Sequence, residues 1–80
     1  MTTKTVITQR SLTTASAVSF VQRAGEFRCE IKVVYGSARV SAKSLLSVSS
    51  LCIMKGDRVT LVANGTDEKI AVEELAEMLT

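Results

Sequence analysis

From Phe27 to Tyr35 the chain alternates: Phe27, Cys29, Ile31, Val33 and Tyr35 are apolar or aromatic, with Arg28, Glu30 and Lys32 between them. A period of two marks a strand with one face buried, so this stretch is predicted to be a strand. Gly36-Ser37 is a two-residue turn with glycine first, and Ala38 to Ala42 continues as the hairpin partner. Upstream, β-branched residues between Thr3 and Thr8 predict a short first strand. From Ala17 the period changes. Ala17, Val18, Phe20, Val21 and Ala24 recur at three- and four-residue spacing against Gln22, Arg23 and Glu26, an amphipathic helix ending near Gly25. Downstream, Ser44 is a helix cap before Leu45, Leu46, Val48 and Leu51, and Lys55-Gly56-Asp57 is the turn after that short helix. Val59, Leu61 and Ala63 alternate with Arg58, Thr60 and Val62, but Val62 makes this strand apolar enough to predict a central place in the sheet. Asn64-Gly65 ends it. Thr66 or Asp67 is expected to cap a last helix, with Glu68 near its positive end and a buried stripe of Ala71, Val72, Leu75, Met78 and Leu79.

The order β-α-β-β-α-β-α predicts an α+β fold. The expected architecture is a two-layer α+β sandwich, a four-stranded mainly antiparallel sheet with the three helices on one face and the other face wet. With 80 residues, residues 1–80 are expected to form a single domain with a modest core. No apolar run reaches the roughly 18 residues of a membrane span, and Met1-Thr2-Thr3-Lys4 does not open a signal peptide, so a cytoplasmic protein with no membrane partner is expected. A net charge of +2 and three aromatic residues give no concentrated basic tract, which argues against direct nucleic-acid binding. Cys29 and Cys52 lack the close pairing of zinc or redox motifs and are expected to be small buried hydrophobes, with no metal and no cofactor. Glu68, Glu73, Glu74 and Glu77 are expected to form a solvated helix face rather than an acid/base pair, so no enzyme is expected. The chain has no histidine. It therefore has no side chain of unperturbed pKa near 6.5 and no imidazole nucleophile.

Ala17-Val18-Ser19-Phe20-Val21-Gln22-Arg23-Ala24 followed by Phe27, the tripeptide Ala42-Lys43-Ser44 before Leu45, the turn around Gly56, and Gly65-Thr66-Asp67-Glu68 occur in one order and spacing. In these the chain resembles the HPr phosphocarrier family of the bacterial sugar phosphotransferase system. The resemblance implies an open-faced β-sandwich with three helices and a sheet order of 1-4-2-3, in agreement with the element order read above. It also implies a Gly-Leu-His-x-Arg-Pro motif at the start of the first helix, where the His accepts phosphate from enzyme I and the Arg steadies it. Here the stretch reads Ser11-Leu12-Thr13-Thr14-Ala15-Ser16: Thr13 stands at the His position, Ala15 at the Arg position and Ser16 at the Pro position. A threonine hydroxyl has a pKa far above neutrality and forms a stable ester, and no guanidinium remains to stabilise a transferring phosphoryl group. Histidine-type relay is not expected, and no catalytic residue is assigned. The plain reading of Thr13, Thr14 and Ser16 is helix capping; the sharper one is an anion-binding remnant at the helix N-terminus.

Ser44 matches the family's second phosphorylated position, which in Gram-positive relatives is a substrate of a dedicated ATP-dependent kinase. It reads equally as a plain cap. Family partners dock on the first two helices, so Ala15, Ser16, Leu45, Leu46, Val48 and Ser49 are the matching exposed candidates, with core packing the plainer reading of Leu45 and Val48. The implied function is that of a Crh-like regulatory or binding protein of the phosphotransferase system and carbon catabolite control. It would be unable to carry phosphate on His and open to phosphorylation at Ser44. Its partners would be an HPr-type kinase and a catabolite-control transcription factor or metabolic enzyme, and it would be a monomer or a strand-swapped dimer. Two alternatives stay open: a phosphocarrier of sugar transport, and an interaction domain that is never phosphorylated.

Overall fold

The computed structural model describes residues Met1–Thr80. Its elements are β1 (Thr2–Ile7), α1 (Thr14–Gly25), β2 (Glu30–Tyr35), β3 (Ala38–Ser41), α2 (Leu45–Ser50), β4 (Arg58–Asn64) and α3 (Glu68–Leu79). The strands form one sheet in the order β1-β4-β2-β3, and every neighbouring pair is antiparallel. The apolar β4 is central, as its composition predicts. Ile31, Val33, Val59, Leu61 and Ala63 face the helices and are buried; their alternates Lys32, Val34, Thr60 and Val62 face outward and are partly exposed. Phe20 and Ala24 of α1, Val48 of α2, and Val72, Leu75 and Leu79 of α3 join them in the 18-residue core. The hairpin turns at Gly36, where φ is +61, with Tyr35 facing Ala38 across the two-residue loop.

Local hydrogen bonding shifts the boundaries from those the periodicity predicts. β1 ends at Ile7 because Thr8 leaves the sheet: its N–H donates to the Asp57 carbonyl (2.9 Å), its hydroxyl donates to the Met54 carbonyl (2.7 Å), and its carbonyl accepts from the Gly56 N–H (2.8 Å). β2 starts at Glu30, not Phe27. The Phe27 N–H still donates to the Ala24 carbonyl (3.3 Å), and those of Arg28 and Cys29 donate to the Asp67 carboxylate (2.9 and 3.0 Å), leaving no ladder bonds to make. Asp67 occupies the N-cap position of α3, yet its side chain makes no cap bond because that loop holds it. Glu68 reaches back instead and accepts from the Gly65 N–H (3.1 Å). α1 begins at Thr14, a turn earlier than the apolar stripe indicates, because Thr13 caps it.

One correction concerns the cysteines. Cys29 is buried as expected, but Cys52 is exposed and holds φ at +54, the one non-glycine residue in the left-handed region. It sits where the chain leaves α2, and turning the backbone there directs the side chain to solvent.

Candidate functional site

The residues singled out by sequence lie at the starts of α1 and α2, two helices that pack against each other. The approach to α1 is fastened to the segment between α2 and β4. The Leu12 N–H donates to the Ile53 carbonyl (2.9 Å), and the Lys55 N–H donates to the Ser11 hydroxyl (3.1 Å). That segment is held in turn by Asp57, whose carboxylate accepts from the Tyr35 hydroxyl (2.6 Å) and the Met54 N–H (2.9 Å). These two bonds hold the Asp57 carboxyl below its ordinary range, the tyrosine contributing more, and the same carboxylate pushes the Tyr35 hydroxyl up.

Thr13 is the N-cap of α1, with extended backbone (φ −77°, ψ 172°). Its hydroxyl accepts from the Ser16 N–H (3.2 Å) and donates to the Ser16 hydroxyl (3.1 Å). Thr13 and Ser16 therefore close on each other, while Thr14 and Ala15 are exposed. No acidic residue stands in the first turn to serve as a base. The arrangement satisfies a helix end and offers no group able to activate an oxygen nucleophile.

Ser44 repeats the pattern at α2. Its hydroxyl accepts from the Ser47 N–H (3.4 Å) and donates to the Ser47 hydroxyl (3.1 Å), and its carbonyl accepts from the Val48 N–H (3.0 Å). The side chain is half-buried at the start of the helix. Neighbouring Lys43 is turned away: its ammonium donates to the Phe27 carbonyl (2.8 Å), just past α1.

The candidate docking residues separate. Leu46 is 84% exposed and Leu45 40%. Ser49 is exposed, but its hydroxyl donates back to the Leu45 carbonyl (2.7 Å) and the Leu46 carbonyl (3.3 Å). Val48, offered above as an exposed candidate, is 1% exposed and belongs to the core beneath α2, so it presents nothing to a partner. The periodicity gave no sign of Met54, an apolar side chain 58% exposed on the segment that grips Ser11 and Leu12. A single methionine among turn-forming residues leaves no repeating pattern to detect.

The family described as "PTS HPr component phosphorylation site" matches residues 2–80. The phosphocarrier protein HPr of Buchnera aphidicola from Acyrthosiphon pisum is 41% identical over 69 residues, covering 86% of this chain and 81% of its own length. The crystal structure of a phosphocarrier protein HPr from Bacillus anthracis superposes with a TM-score of 0.94 at 31% identity, covering 99% of this chain and 96% of its own. Crh of Bacillus subtilis, a catabolite-repression protein described as a dimer with a swapping domain, superposes with a TM-score of 0.79 at 35% identity, covering 92% of this chain and 85% of its own. Strand order, helix placement and a match along almost the full sequence agree: the chain belongs to the HPr family of the phosphotransferase system.

Proposed function

We propose that this chain is an HPr-fold regulatory protein, working in the phosphotransferase system and in carbon catabolite control, that does not relay phosphate through histidine and is switched by phosphorylation of Ser44. The observation that carries the reading is the state of the two helix starts. At α1, the position matching the family's phosphoacceptor is Thr13, whose hydroxyl is spent on Ser16, in a chain without histidine. At α2, the Ser44 hydroxyl bonds Ser47 as Thr13 bonds Ser16; what sets Ser44 apart is that it matches the family's second phosphorylated position, at a helix start where a phosphate's added charge is favoured. A kinase would transfer the γ-phosphoryl of ATP to the Ser44 oxygen, the hydroxyl proton passing to the kinase's own base and ADP leaving.

The chemistry of the modified surface supports one class of partner. Phosphoserine would sit next to the exposed Leu45 and Leu46, a charged group bordered by apolar side chains. That combination suits an HPr-type kinase during modification and, afterwards, a transcription factor or metabolic enzyme with a basic pocket beside an apolar one. A strand-swapped dimer is a second reading. It is favoured by the likeness to Crh, and β1 is an edge strand paired only with β4.

Treatment with an HPr-type kinase and ATP is expected to add a single phosphate that is lost in Ser44→Ala. Phosphoenolpyruvate with enzyme I is expected to add none. Acid-labile phosphate in the second reaction would overturn the proposal, as would phosphate persisting in Ser44→Ala in the first.

A further inference from the structure

β1 lies at the edge of the sheet, and one side of its backbone has no strand beside it. Both backbone groups of Thr8 bond toward the β4 side, to Asp57 and Gly56. Backbone direction alternates along an antiparallel strand, so Thr2, Lys4 and Val6 also bond inward, and the N–H and C=O groups of Thr3, Thr5 and Ile7 point out from the sheet. The side chains of Lys4 and Val6 lie on the helix-facing side, because they pair with the buried Leu61 and Val59.

Beside this edge runs α3. A groove between the two has one segment of roughly 330 Å³ near Thr2 and another of roughly 210 Å³ near Val6. Val59, Leu61 and Ala63 are fully buried on the β4 side, so the groove opens toward the free edge. Lys4 and Glu73 line both segments; Lys69 marks the first and Glu77 the second. None of these four charged groups takes part in an ion pair.

We propose that this edge and groove accept an extended peptide as a fifth strand antiparallel to β1. Its helix-facing positions would carry a basic residue followed two positions later by an acidic one. The outward groups of Thr3, Thr5 and Ile7 supply the ladder bonds, a peptide N–H replacing the Gln9 Nε2–H that the Ile7 carbonyl accepts at 3.5 Å. Two helix-facing side chains, about 6.8 Å apart along a strand, reach one segment each. An antiparallel peptide starts at the Ile7 end, so its first such side chain meets Glu77 and its second meets Lys69. The charges therefore dictate Lys/Arg-x-Asp/Glu rather than the reverse. This surface is distinct from the starts of α1 and α2, and its occupation does not depend on Ser44.

The test is titration of the isotope-labelled full chain with two synthetic peptides, acetyl-Thr-Val-Lys-Thr-Glu-Val-Thr-amide and the same peptide with Lys and Glu exchanged, followed by amide chemical shifts. The first peptide is expected to move the amides of Thr3, Thr5 and Ile7 and to bind at least about fivefold more tightly than the second. In the double variant Lys69→Glu with Glu77→Lys, both exposed positions, the preference is expected to invert. No movement of the β1 amides at millimolar peptide overturns the proposal. Equal affinity for the two peptides, or an unchanged preference in the double variant, overturns it as well.

Discussion

At the scale of single residues, Gly65 is the one glycine with no room for a side chain, because it lies against Cys29. A Cβ built on Gly65 would lie 2.6 Å from the Cys29 Cα and 2.7 Å from its Cβ, and the backbone there has φ at +152°. The neighbouring atom is main chain, and it cannot retreat because the Cys29 N–H is held by the Asp67 carboxylate. Gly65→Ala is therefore expected to lower stability by about 3 kcal/mol, from overpacking and an unfavourable backbone angle together. Gly25 is the opposite case: it ends α1 with no atom within 4 Å of a built Cβ, and Gly25→Ala is expected to be neutral or to stabilise by about 0.5 kcal/mol. Urea unfolding of both variants checks the pair, and equal midpoints would contradict it. Cys52 teaches a related lesson. Its composition favours burial, but its left-handed backbone turns it out to solvent, and nothing in an apolar pattern reports a backbone angle.

At the scale of elements, α2 has only six residues and divides its apolar side chains between the core and solvent. Val48 packs into the core and Leu46 projects outward. Val48→Ala is expected to cost about 2 kcal/mol by removing buried methyl groups. Leu46→Ala should change stability by no more than about 0.5 kcal/mol and should weaken docking of an HPr-type kinase, read as a higher KM for phosphorylation of the full chain. A large stability loss from Leu46→Ala, or an unchanged KM, would show that the exposed leucine has another role. The existence and order of all seven elements were legible from the sequence, because periods of two and of three to four write burial directly into residue order. Two kinds of feature were not. The start of β2 depends on Asp67, which is 38 positions beyond Cys29 in the chain and takes the N–H groups that a ladder would otherwise use. In so short a helix the spacing of Leu45, Leu46 and Val48 does not reveal which side faces in, so the candidate surface was legible as a region and not residue by residue. The helix caps fared better. Thr13 and Ser44 each stand three residues before an N–H they bond, a relation local enough to read without the fold.

At the scale of the whole molecule, three carboxylates join parts distant in sequence, and all three favour the charged form when folded. Glu68 links β1 to α3. It accepts from the Thr2 hydroxyl (2.5 Å) and the Gly65 N–H (3.1 Å) and pairs with the Met1 amino group (2.9 Å), the Thr2 bond weighing most, and its pKa falls from 4.5 to about 2. Asp67 joins the start of α3 to the segment before β2, and its carboxyl is held low chiefly by the Arg28 N–H. Asp57 joins the segment after α2 to β2 through Tyr35. A carboxyl whose pKa is depressed by folding stabilises the native state in full above its unfolded pKa, and loses that contribution as pH falls toward the folded value. For Glu68 that window runs from pH 4.5 down to about 2, and the two aspartates add losses below their ordinary 3.8. Stability is thus expected to be level from about pH 7 to about pH 5 and to decline steeply below, with the urea midpoint as the measure. Glu68→Gln keeps the shape and part of the hydrogen bonding but cannot titrate. Its midpoint should lie below that of the unaltered chain at neutral pH and converge on it toward about pH 2. Parallel curves for the two proteins across that range would mean that Glu68 does not couple β1 to α3 through its charge, and that the acid sensitivity belongs to the aspartates alone.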